Sequence, residues 1–224
     1  MVVQQDFLGI QDLKELSPRR KVEVYKALED LLSSRVETRL EAMDRLCAMD
    51  AHRRSPLVAC FLVYRLIEPD LCLRARIAQC LSETIRASGT RERSPKKVRD
   101  LLHQNLRGIG HREVNSLLQL IAKDDELLEP VCVILNQCSS CGEILVEILN
   151  CHDCSIPIRM ASCKVIGQIG FLEARQAIEV LEKRLAGRIT GQLSMTFAPG
   201  GIEEAKELIP VLRGTLEALR EASI

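Results

Sequence analysis

Two cysteine pairs carry the sharpest chemical signal in this chain, Cys138-Ser-Ser-Cys141 and Cys151-His-Asp-Cys154. A CxxC turn brings two thiols to one point, and two such turns can supply the four sulfurs that tetrahedral zinc accepts. Here the intervening GEILVEILN reads as a helix. Such a helix would hold the pairs about 13 Å apart, beyond the reach of one ion. What remains is Cys151, His152 and Cys154, a three-ligand metal candidate within one turn. It competes with the plainer reading of an inter-helix loop of small and polar residues, and neither a metal nor a cofactor is expected. Redox chemistry at CxxC lacks the βαβ setting of thioredoxin-type proteins.

The four histidines, His52, His103, His111 and His152, are too scattered for a zinc-protease HExxH motif. The glycine-rich phosphate cradles and the GxSxG nucleophile turn are missing as well, so no catalytic residue is assigned. Asp124, Asp125, Glu126 and Glu129 read as a helix start, where negative charge suits the macrodipole. One basic run stands out: RERSPKKVR, residues 91–99, sets Arg91, Arg93, Lys96, Lys97 and Arg99 against Glu92. It is the partner-binding candidate, a loop-and-helix-start position where binding residues concentrate. A solvated charge run is the competing reading.

Composition narrows the classes further. Lys plus Arg and Asp plus Glu are 31 each, so the 224 residues carry no net charge. That removes the electrostatic basis for a general nucleic-acid or polybasic membrane binder. A hydrophobic share of 46% with 28% charged residues marks a folded chain rather than a disordered one. Aromatics are only 3%, so the core must be built from Leu, Ile, Val and Ala, which suits helices packed on helices. No basic-then-apolar leader opens the sequence, and no uncharged run approaches a membrane span. A cytoplasmic protein with free thiols, and no membrane, is the expectation.

The elements that must position these residues read as short amphipathic helices. Three Ser-Pro pairs, Ser17-Pro18, Ser55-Pro56 and Ser94-Pro95, combine an N-cap with proline at the first helical position. The first helix carries Val22, Tyr25, Leu28 and Leu32 at helical spacing, the second Val36, Leu40, Met43 and Cys47. A nearly all-apolar helix follows Pro56, and Asp70 caps the next, with Leu71, Ala75, Ala78, Leu81 and Ile85 inward. Further helices bear Val98, Leu101, Leu102 and Leu106, then Val114, Leu117, Leu118 and Ile121, and others are expected near 127–138, 142–150, 156–169 and 172–186. Residues 187–201 read as a charge-poor loop. The last helix, 202–224, presents Ile202, Ala205, Ile209, Leu212, Leu216 and Leu219 as a cap. No alternating strand is evident, so the fold class is all-α.

A repeat underlies this pattern. Aligned on Arg39, Arg74 and Arg159, each arginine has an aliphatic residue three before it (Val36, Leu71, Ile156) and seven after it (Leu46, Leu81, Ile166), with Ala42, Ala78 and Ala161 between. The arginine is expected to be structural, bonding a carbonyl or carboxylate of a neighbouring turn. This pattern resembles the HEAT-like repeat, a helical hairpin of about 30–40 residues that stacks into a solenoid. Residues 155–185, SIPIRMASCKVIGQIGFLEARQAIEVLEKRL, are its clearest copy, similar to the bacterial unit of phycobilisome lyases, with Gly167 and Gly170 placed in the inter-helix turn.

The resemblance implies a right-handed α-α superhelix, an armadillo-type fold of about five stacked hairpins and 10–11 helices in a single domain. It would cover residues 1–186, followed by the loop and the cap. Deoxyhypusine hydroxylases, also HEAT-like, hold two irons through His-Glu dipeptides. This sequence has none, so that activity is not implied. Solenoids bind through exposed faces, and the expected function is a non-enzymatic scaffold for another protein. Two alternatives stand beside it: a phycobilisome-lyase-like subunit handling a tetrapyrrole, and a nucleic-acid solenoid gripping through residues 91–99. Neutral charge and the lack of interleaved aromatics weigh against the latter.

Overall fold

The computed structural model describes residues 18–86, 94–189 and 200–222, and among them every regular element is helical. Twelve α-helices and two single 3₁₀ turns fall into two compact units on either side of Gly108. None of these helices is long and apolar enough to cross a membrane.

The first unit holds α1 (Pro18–Asp30), α2 (Val36–Ala48), α3 (Ala51–Arg54), α4 (Pro56–Tyr64), α5 (Leu71–Ile85) and α6 (Lys96–Arg107). α1 packs on α2, α2 on α5, and α4 on both α5 and α6. Local chemistry sets the boundaries. Ser55 caps α4, its hydroxyl accepting from the Val58 amide at 3.4 Å, and Pro56 follows at the first helical position. Asp70 does the same for α5, accepting from the Leu73 amide at 2.8 Å. The third Ser-Pro pair is displaced by one residue. Pro95 is the N-cap of α6 and makes no side-chain cap, while the Ser94 carbonyl accepts from Arg99 Nε at 3.2 Å.

Three inward faces differ from expectation. α1 buries Val24, Ala27 and Leu28, with Leu31 just beyond its end, and leaves Val22, Tyr25 and Leu32 exposed. Two apolar stripes lie side by side on this helix, and of the four residues the spacing singled out Leu28 alone is buried. α2 is rotated likewise: Arg39, Ala42, Met43 and Leu46 are buried, while Val36, Leu40 and Cys47 lie at the edge. On α5, Leu71 is exposed and Ala75 and Ile85 lie at the edge, while Leu73, Arg74, Ile77, Ala78 and Leu81 are buried. The shifts of α2 and α5 have one cause. The buried arginine, which a hydrophobic pattern excludes from the core, sits at the middle of the packed face.

The second unit holds α7 (His111–Lys123), α8 (Leu128–Leu135), α9 (Cys141–Asn150), α10 (Ile156–Ile169), α11 (Arg175–Ile189) and α12 (Gly200–Glu221). α10 is central, packed on α7, α9 and α12, and α11 lies against α12. As expected, Asp124 starts the helical run after α7, its carboxylate accepting from the Glu126 amide at 3.0 Å. Gly170 ends α10 in the left-handed region at φ 80°, a conformation cheap only for glycine. Gly167 is not in that turn. It lies within α10, under α12, where a β-carbon would touch Thr215 at 3.5 Å. The Thr215 hydroxyl donates to the Cys163 carbonyl at 3.1 Å, tying the two helices. Residues 187–189, expected in the loop, continue α11, and 190–199 lie outside the described residues. α12 buries Ala205, Leu208, Ile209, Leu212, Leu216 and Leu219.

Candidate functional site

The three aligned arginines occupy one structural position. Val36, Leu71 and Ile156 are the first residues of α2, α5 and α10, so each arginine is fourth in its helix. Each reaches back past its own N-terminus. Arg39 Nη1 donates to the Ser33 and Ser34 carbonyls at 2.9 and 3.1 Å. Arg74 Nε donates to the Glu68 carbonyl at 2.6 Å, and Arg159 Nε to the Leu149 carbonyl at 2.8 Å. Arg39 also pairs with Glu68 at 2.7 Å, and Arg159 with Glu204 of α12. The fully buried Glu68 side chain also takes Arg65. α2 and α5 therefore share one turn, Arg39 holding its carboxylate and Arg74 its backbone.

That frame brings together residues the sequence reading did not connect. Cys47 on α2, His52 on α3 and Cys80 on α5 place one ligating atom each within 4.8 Å of one another. They line a cleft of about 520 Å³ with Asp44, Arg76 and Glu83. The two sulfurs are 3.1 Å apart. Arg76, paired with Asp44 at 3.2 Å, flanks them. α3 is a four-residue helix that follows Asp50, whose φ of 55° is left-handed. Among non-glycine residues aspartate is one of the few that enter this region at modest cost, and the reversal turns His52 back toward α2 and α5.

The electrostatics of the three groups differ. A hydrogen bond from Cys80 lowers the Cys47 thiol below its ordinary range, opposed by burial and helped by Arg76. The same bond, with burial, pushes Cys80 upward. Burial also lowers His52, outweighing the pull of Asp50 and Glu83, so its ring is neutral near neutral pH. It is 3% exposed, and neither ring nitrogen has a hydrogen-bond partner. The nearest carboxylate oxygens stand 3.8 Å (Glu83) and 4.0 Å (Asp50) from Nε2, beyond hydrogen-bond reach.

A pH dependence follows from His52. In the unfolded chain the ring protonates below about pH 6.5. In the fold its affinity for the proton is lower, so between these two values the unfolded state binds more protons. Its contribution is therefore full above about pH 6.5 and is lost as pH falls toward the folded value, by up to about 1.4 kcal/mol per pH unit. His52→Asn is expected to flatten this part of a urea-midpoint profile between pH 7 and 5. An unchanged slope would remove His52 as its source.

The motif cysteines lie elsewhere. Cys138 is buried and donates to the Ile109 carbonyl at 3.3 Å. Burial pushes the Cys141 thiol up to about 12. α9 separates this pair from Cys151 and Cys154, as expected. Cys151 and Cys154 hydrogen-bond to each other, which lowers the Cys151 thiol. His152 turns to Glu204, its Nδ1 3.8 Å from the carboxylate. Among the described residues the one convergent group of three ligating side chains is that of Cys47, His52 and Cys80. All ten cysteines are free thiols. In the basic run, Arg91 and Arg93 lie outside the described residues. Lys96 pairs with Asp100 at 2.8 Å, Arg99 bonds the Ser94 carbonyl, and Lys97 is exposed at the start of α6.

Comparison with family models, with curated proteins and with solved structures finds no match to this chain.

Proposed function

We propose that this chain is a cytoplasmic, non-enzymatic scaffold, a HEAT-like right-handed α-α superhelix that binds another protein through its surface. The recurring arginine position supports the repeat reading. Three helices starting at the same register, each anchored by a buried guanidinium to the preceding turn, are what stacked copies of one hairpin require.

The observation that carries the binding reading is the second apolar stripe of α1. Val22 is 69% exposed, Tyr25 41%, and Leu32, just past the helix end, 64%. Isolated apolar residues on a surface are ordinary. A stripe at helical spacing, on a helix already supplied with a buried face, is the pattern of a helix made to pack on two sides. Glu29 lies within the stripe, and Arg19 and Lys26, both exposed, flank one side of it. The rim would add orientation and association rate more than affinity.

Replacing Val22 and Tyr25 together by Glu tests this. Both are solvent-facing, so the unfolding midpoint is expected to move by no more than about 0.5 kcal/mol. Tagged wild-type protein recovered from its native cells is expected to carry one near-stoichiometric protein that the double variant loses. Equal recovery by the variant would remove this stripe as the docking surface. Recovery of nucleic acid or pigment alone would overturn the protein-scaffold reading.

A further inference from the structure

We propose that Cys47, His52 and Cys80 form a binding site for a thiophilic divalent cation, zinc foremost, with two thiolates and one imidazole nitrogen as ligands and a fourth position open to the cleft. The inference is independent of the scaffold reading. Three ligands from α2, α3 and α5 converge within 4.8 Å, and they are soft sulfur and borderline nitrogen, the set that selects zinc over magnesium or calcium. Zinc–sulfur bonds of about 2.3 Å in a tetrahedron hold the two sulfurs roughly 3.8 Å apart. The observed 3.1 Å pair need only open slightly, and Cys47, at the cleft edge, has room to turn.

His52 is what a simple thiol pair leaves unexplained. A disulfide, or a hydrogen-bonded pair of thiols, has no use for an imidazole. Yet this ring is driven into the interior with both nitrogens unpartnered, beside the two sulfurs. A neutral imidazole with a free lone pair is a metal ligand in waiting, and coordination would satisfy one of the two orphaned nitrogens. Asp50 and Glu83, at 4.0 and 3.8 Å from Nε2, stand where a carboxylate can orient the ring or supply an oxygen ligand. The cleft of about 520 Å³ gives water or a small ligand access to the remaining position. Binding breaks two S–H bonds and forms two sulfur–metal bonds and one nitrogen–metal bond. The two protons leave to solvent and no oxidation state changes.

The test uses the full chain, reduced and stripped with a chelator, then titrated with Co(II). One Co(II) per chain is expected, with the visible absorption of a tetrahedral site and sulfur-to-cobalt charge transfer in the near ultraviolet, both abolished by equimolar Zn(II). Zn(II) should also raise the thermal midpoint, because it binds only the folded site. Cys47→Ser is expected to weaken Co(II) binding by about a hundredfold, at the upper end of what even outer-shell changes cost. Cys72→Ser and Cys151→Ser should leave it unchanged.

Protection of Cys47 and Cys80 from alkylation by Zn(II), read on the wild-type chain by mass spectrometry, keeps the test decisive should a variant fold poorly. Folded, reduced protein that shows no tetrahedral cobalt spectrum overturns the site. A spectrum that survives Cys47→Ser, or that Cys151→Ser abolishes, overturns it too. So does a Cys47–Cys80 disulfide formed in air by a chain that binds no cobalt, which would make the pair a redox element instead.

Discussion

Glu68→Ala is expected to destabilise the first unit by about 3–5 kcal/mol, the range for removing one partner of a buried ion pair. The side chain is fully buried, and it is the carboxylate that Arg39 and Arg65 share. Arg39 is itself only 9% exposed on its side chain, so without Glu68 its charge stays buried with two turn carbonyls as its partners. The backbone bond from Arg74 to the Glu68 carbonyl does not need the side chain and persists, which sets the upper limit. Arg65→Ala, which removes the more exposed partner (24%) and leaves Glu68 paired with Arg39, should cost less, about 1–2 kcal/mol. The contrast between the two variants is the decisive measurement. In hydrogen exchange, Glu68→Ala should lower protection in peptides of α2, α4 and α5. Equal midpoints for Glu68→Ala and Arg65→Ala would mean that Glu68 is not the hub of the clamp.

The arginines were legible in the sequence because each sits at a fixed offset from aliphatic neighbours that mark a helix start. Their acceptors were not. Glu68 lies 29 residues from Arg39 and Glu204 lies 45 from Arg159, so no single offset connects arginine to partner. The carboxylate comes from whichever element happens to pass the arginine, a turn in one unit and a terminal helix in the other. Helix types and most inward faces also followed from spacing, since Leu and Ile periodicity needs only local geometry. α1 defeated that reasoning because it offers two apolar stripes, and only the position of α2 decides between them.

The Cys47, His52 and Cys80 cluster was hidden for a related reason. α3 is one turn long and has no periodicity to read, and it exists through a left-handed aspartate. One signal was present all the same. Cys47 and Cys80 are 33 residues apart, close to the 35 that separate Arg39 and Arg74. Residues at similar depth along two helices that begin in the same register become neighbours when those helices pack, as α2 and α5 do. The CxxC motifs drew attention by their proximity in sequence, whereas here the packing of α2 on α5 is what brings thiols together.

Arg159→Met is expected to cost the second unit about 3 kcal/mol, or roughly 6–12 °C in Tm for a chain of this size. Methionine can fill much of the space the aliphatic stem occupies, so the loss reports mainly on the guanidinium. That group is 2% exposed on its side chain. It donates to the Leu149 carbonyl in the last turn of α9, one of the end carbonyls that have no partner within the helix. It also pairs with Glu204, which is 13% exposed and keeps Arg188 at 3.2 Å when Arg159 is gone. The surviving partner is why the cost falls at the lower end for a buried pair.

The pH dependence separates the two roles. Burial works against ionisation of Glu204, but Arg159, through its hydrogen bond and its charge, then Arg188 and His152, hold its carboxyl below the ordinary carboxylate range. A depressed folded value stabilises above the unfolded value of about 4.3, and that stability is lost as pH falls through the folded one. The gap between wild type and Arg159→Met should therefore be widest at neutral pH and narrow in acid, as Glu204 protonates in both proteins. The bond to Leu149 does not titrate, so a residual gap should survive at the lowest pH where the chain still folds. Urea midpoints for both proteins at neutral pH and in mild acid measure this directly. A gap that stays constant would assign the whole effect to the carbonyl bond and to packing, and leave the ion pair with Glu204 without net weight.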